Sequence, residues 1–174
     1  AVSGNYFDVL GTGFALGRDF LPEEAGPQAG RPVMIVSHLF WRTRLASDPQ
    51  VIGRELKTRE RRDGRQTTYT IIGVAAPEFS GQSPLAPAGW IPLTSTSLPL
   101  GDRAKPFLAM TGRTRAGVSM SQAKADLEVI TQRLARLFPA ERRANTVTLL
   151  PAMRVLNIGM DRDFAMALSP VLLG

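Results

Sequence analysis

Hydrophobic positions along this chain change their period several times, and each change marks an element. From Ser3 to Gly11 the apolar residues Tyr6, Phe7 and Leu10 share one side of a short helix. Ser3 is placed to accept an early amide, and Gly11 can close the end in the left-handed region. Gly13 to Phe20 reads as extended with a turn at Gly17-Arg18, and Pro22 to Pro32 is a loop by composition. Pro32 opens Val33-Met34-Ile35-Val36, an unbroken apolar run of the length of a buried strand. Ser37 ends that run and caps a helix from His38 to Ala46, with Leu39, Phe40 and Leu45 expected to turn inward. Asp48-Pro49 stops the helix, and Val51-Ile52-Gly53 makes a tight entry to the next strand.

Period 2 then takes over. Arg54 to Thr58 and Thr68 to Val74 read as paired strands around Asp63-Gly64, a hairpin signal. Thr68, Thr70 and Ile72 should face one way, and Tyr69, Ile71 and Gly73 the other. Glu78 to Pro87 is loop-like, and Pro92 consigns Trp90-Ile91-Pro92-Leu93 to an edge or an irregular strand. Phe107 to Thr114 reads as a strand. Ser119 and Gln122 form a capping box ahead of Met120, Ala123, Leu127, Ile130, Leu134 and Leu137, whose spacings of three and four give a helix with one apolar stripe. Pro139 ends this helix, and Thr146 to Leu150 is expected to be the returning strand of a βαβ-like unit. The fold class is therefore α+β, with a hairpin-rich middle.

Composition changes the picture little. At 174 residues and 44% hydrophobic, the chain suits one globular domain or two small lobes. The net charge of +6 opens the possibility of an anionic partner. All the basic residues except Lys57, Lys105 and Lys124 are arginine, and they are scattered. Their densest group, Arg59, Arg61, Arg62 and Arg65, surrounds the hairpin turn, where a solvated loop explains it about as well as a ligand does. A basic nucleic-acid-binding module is the alternative reading from another class. Against it, only Tyr69 among the aromatics lies near the cluster, and the 120–138 helix mixes Lys124, Arg133 and Arg136 with Asp126 and Glu128.

Candidate chemistry is sparse. The absence of cysteine removes disulfides, thiolate metal sites and cysteine nucleophiles. Ser37 and His38 adjoin, but neighbouring residues point apart and no Gly-x-Ser-x-Gly elbow is present, so a cap and a structural or surface histidine are expected. Glu23-Glu24 and Asp161/Asp163 are the nearest carboxylate pairs; Asp161-Arg162-Asp163 lacks the glycine and distal glutamate of a calcium loop. Gly11-Thr12-Gly13 with Gly17 has its third glycine one position late for a dinucleotide fingerprint, and a helix precedes it where a strand is needed. No phosphate loop occurs, so the chain does not itself hydrolyse ATP. No catalytic, cofactor or metal residue is assigned, no cofactor is expected, and the chain is read as non-enzymatic. No run reaches the roughly 20 apolar residues of a membrane span. Its start carries neither a Met nor a signal peptide, and residues 164–174 turn apolar, so it is expected to be a fragment of a longer protein.

Several stretches together resemble a known family. Val2-Ser3-Gly4-Asn5-Tyr6-Phe7-Asp8-Val9-Leu10-Gly11 and Ala15-Leu16-Gly17-Arg18-Asp19-Phe20 are similar to the opening of the periplasmic core of MacB-like ABC transporter permeases. The resemblance continues through Pro32 to Trp41, Asp48 to Arg54, Tyr69 to Ala75, Trp90 to Leu93, and Arg113 to Gln122 with its helix, in the family's order. The wording Ser-His-x-x-Trp and Asp-Pro-x-x-Ile-Gly-Arg is most like orphan permeases of soil bacteria that carry duplicated permease units.

The resemblance implies an extracytoplasmic domain of an inner-membrane protein, lying between the first two of four transmembrane helices. Two lobes would follow: a β-rich insert at about 33–93, and a porter-like lobe from 1–32 and 94–163 whose first strand and helix would precede Ala1. Residues 164–174 would lead into a transmembrane helix. The implied role is mechanical, coupling ATP-driven motion of the membrane part to export or to handling of a lipoprotein or other partner. Implied partners are a second permease copy or domain, an ATPase subunit or domain, and a periplasmic adaptor or lipoprotein, with no nucleic acid. The stretch Lys57 to Arg65 is longer than the family's usual hairpin.

Overall fold

The computed structural model describes residues 1–27, 30–59, 66–82, 87–96, 98, 100, 108–138 and 147–150, apart from the Arg59 side chain. The chain divides into two compact units, Ala1–Gly101 and Asp102–Gly174.

The first unit is built on a five-stranded mixed sheet. Its elements are α1 (Tyr6–Leu10), β1 (Phe14–Gly17), α2 (Pro22–Ala25), β2 (Val33–Val36), α3 (His38–Arg44), β3 (Glu55–Arg59), β4 (Gln66–Ala75) and β5 (Gly89–Trp90). A 3-10 turn, Leu93–Ser95, follows. The long strand β4 organises the sheet. β2 runs parallel to it along one edge, while β3 and β1 lie antiparallel and share the other, β3 opposite Gln66 to Thr70 and β1 opposite Gly73 to Ala75. β5 closes the far side antiparallel to β2, and Val2 extends that edge through amide bonds between Val2 and Ile91 and between Leu93 and Val2.

Both faces of the sheet are covered, which explains why β2 has no polar residue. Val33 and Ile35 face a cluster with Phe7, Phe20, Ile72, Ala75 and Trp90, while Met34 and Val36 face another with Val51, Tyr69, Ile71 and Val74. A strand buried on two sides gains from apolar residues at every position, so alternation is lost. Around Phe7, fully buried, the rings of Tyr6, Phe14, Phe20, Phe79 and Trp90 lie with centroids 5.2 to 6.0 Å away. Core that covers 33–93 therefore also takes in residues 2–25, through α1, β1 and Ala25.

The expected pairing of the two strands holds, from Glu55↔Thr70 to Arg59↔Gln66, while Asp63-Gly64 between them lies outside the described residues. The expected facing holds to Ile72 and then slips. Tyr69 and Ile71 share a cluster, yet Val74 joins them and Ala75 joins Ile72. The slip is a bulge: Met34 pairs Ile71 but Ile35 pairs Gly73, leaving Ile72 as the extra residue.

Four local expectations are corrected. α1 starts at Asn5–Tyr6, and Ser3 contributes its carbonyl to the Tyr6 amide, its hydroxyl bonding the Asn5 side chain. The stretch Pro22 to Pro32 contains a helical turn, α2, because proline fixes the first helical residue and Glu24 returns a carboxylate oxygen to the Leu21 amide at 2.9 Å. In α3 Leu39 is exposed, while Trp41 joins Phe40 and Leu45 against the sheet. At about 100° per residue, a face centred on Phe40, Trp41 and Leu45 puts Leu39 on the opposite side.

The fourth correction concerns the second unit. Its helix α4 (Met120–Leu137) forms as expected, with the Ser119 hydroxyl accepting the Gln122 amide at 3.2 Å and Gln122 returning a bond to the Ser119 amide at 2.9 Å. The strands expected over 107–114 and 146–150 are not formed at the described residues 108–114 and 147–150. A strand exists only as one side of a ladder, and no described residue pairs with either segment. No residue of α4 is buried, and Ile130 and Leu137 are 53% and 62% exposed. The parallel crossover that was expected around α4 occurs instead in the first unit, where β2 passes through α3 and β3 to β4.

Candidate functional site

The structure places those of the polar residues singled out from the sequence that lie among the described ones. Ser37 is buried, and its hydroxyl accepts the Phe40 amide at 3.2 Å, as a helix cap. The His38 ring packs on Trp41, with centroids 5.3 Å apart. The structure thus gives Ser37 a backbone partner and His38 an aromatic one; it does not join them into a nucleophile and base. Trp41 in turn donates its indole N–H to the Asp48 carbonyl at 2.9 Å, and Asp48 pairs with Arg54 at 2.8 Å. These contacts pin the turn between α3 and β3.

The glycines serve backbone geometry. Gly11 takes the left-handed conformation that ends α1, its amide donating to the Asp8 and Phe7 carbonyls. Gly17, at φ +73°, lies where an added Cβ would meet the Ile72 carbonyl, and a Cβ on Gly73 would come to 2.6 Å from the Arg18 carbonyl. Beside the bulge the two chains pack too closely for any side chain.

Among the described residues, one well-connected ion pair joins Glu24, which the sequence grouped only with Glu23, to an arginine that the sequence did not single out. Arg18, just past β1, holds Glu24 of α2 in a two-pronged pair at 2.8 and 2.7 Å, and also donates to the Asp19 carbonyl at 2.9 Å. The hydrogen bonds from Arg18 hold the Glu24 carboxyl below its ordinary range, and the same bonds raise the Arg18 pKa. Next to them, burial pushes the Asp19 carboxyl up, opposed by the Phe20 amide that donates to it at 2.7 Å. Burial likewise raises the Tyr6 hydroxyl, which bonds Trp90 and the Gln82 backbone. The signal that could have found this pair is Leu-Pro-Glu-Glu itself, a proline followed by acids at a helix start. Glu23 makes neither of these hydrogen bonds, although its charge adds to the rise at Arg18.

Among the described residues no three histidine, cysteine, aspartate or glutamate side chains stand close enough to hold a metal ion. No helix among them is long and apolar enough to cross a membrane. Asp161 and Asp163 lie outside the described residues, as do Arg61, Arg62 and Arg65 in the turn between β3 and β4. What the described groups do is hold backbone in place: a cap, a ring stack, a turn and a salt-bridged clip.

The comparison with known families supplies what these groups do not. A model of the MacB-like periplasmic core domain matches residues 1–130. This chain belongs to that family. None of the curated proteins matches the chain. The match takes in the whole sheet of the first unit and α4 as far as Ile130. A MacB-like periplasmic core is the extracytoplasmic domain of an ABC transporter permease, so the chain is a transporter component acting with a membrane permease and an ATPase. Membership lends no support to the nucleic-acid reading that charge alone had opened.

Proposed function

We propose that this MacB-like domain carries out no chemistry of its own and acts as a mechanical element, coupling ATP-driven movement of the membrane part to export or to the handling of a lipoprotein or adaptor partner. The observation that carries this reading is the family match over residues 1–130. The described interior supports it. A sheet packed on both faces, with Arg18, Glu24, Asp48 and Arg54 fastening its connecting turns, is a stiff body suited to transmitting displacement.

In this reading the β-rich lobe is centred on 33–93 and widened by the preceding segment that packs on it. The porter-like lobe contains α4, with residues 94–163 supplying most of it. Residues 164–174 lead towards a transmembrane helix, and the domain faces the periplasm in a cell with two membranes. A second permease copy, or a duplicated permease unit on the same chain, completes the assembly.

The test is topological. The chain has no native cysteine, so Lys57→Cys, on the exposed side of β3, gives a single labelling site in this domain. In the full-length protein a membrane-impermeant maleimide should label it in intact cells with a permeable outer membrane. Labelling only after the inner membrane is broken would overturn the proposal.

A further inference from the structure

We draw no further inference here: the strongest candidate, the exposed apolar stripe of α4 formed by Met120, Ile130, Leu134 and Leu137, already belongs to the porter-like lobe of the reading above, and nothing in the structure shows what else covers it.

Discussion

Gly17 bears the tightest constraint among the described glycines. Its φ of +73° favours a residue without Cβ, and the Ile72 carbonyl, the Gly73 Cα and the Ile52 side chain occupy the space a Cβ would need. Gly17→Ala should therefore lower unfolding stability by more than about 2 kcal/mol in denaturant titrations, because strain and a backbone clash coincide. Gly13→Ala, with nothing within 4 Å of the added methyl, should stay within about 0.5 kcal/mol of wild type. The Arg18–Glu24 clip gives a second prediction, with a pH sign. Glu24 has a depressed folded pKa, so its contribution is present above the ordinary value of 4.5 and is lost as pH falls through the folded value below it. Asp19 works oppositely: its raised pKa favours the fold below its ordinary 3.8, a contribution lost as pH rises through its folded value. Glu24→Gln should cost about 1 kcal/mol at neutral pH, since half of the Arg18 side chain is in water, and the deficit should shrink below pH 4.5. A deficit independent of pH would show that shape rather than charge makes the contact.

At the scale of elements, the decisive feature is that β2 is buried on both faces and continues directly into α3. Ser37 makes that junction: its amide donates to the Ala88 carbonyl at 2.9 Å while its hydroxyl caps the helix. Ser37→Ala should lower stability by about 1 kcal/mol, the usual cost of a lost cap. Ser37→Thr, which keeps the oxygen, should recover part of it; thermal unfolding monitored by circular dichroism would measure both. The cap, the apolar run and the hairpin were legible because each depends on residues close in sequence. The facing of β4 was legible only up to Ile72, because the bulge lies in the register of β4 against β2, and Gly73 pairs with Gly17 on one side and Ile35 on the other, residues distant in sequence. Leu39 was misplaced for a similar reason. Helical periodicity allowed more than one inward face, and contact with the sheet selected the one bearing Trp41.

For the molecule as a whole, family membership places the domain outside the membrane in a transporter permease, and it lends no support to the nucleic-acid reading that the net charge of +6 had opened. On the proposed reading, the parent reading frame should encode one apolar span of about 20 residues upstream of this domain and about three downstream, the first beginning near Phe164. Hydropathy of that frame checks it directly, and soluble sequence on both flanks would contradict the expected membrane anchoring. The clip at Arg18 and the ring cluster around Phe7 belong to this scale too. Phe7, Phe20, Phe79 and Trp90 are spread over more than 80 positions of sequence, so their meeting is a property of the fold.

By itself the sequence determined where α3, α4, β2 and the β3–β4 hairpin lie, where two helices are capped, and that the chain resembles a MacB-like periplasmic core. Those features depend on local periodicity, on side chains within four residues of the amides they cap, or on the order of short motifs. Only the tertiary structure decided that β1 joins the sheet, that the parallel crossover runs from β2 to β4, and that Arg18 grips Glu24. It likewise decided that no described segment beside α4 becomes a strand. Ladder partners and buried faces come from residues far apart in the chain, and a local pattern specifies that a strand or face wants a partner without specifying which one it gets.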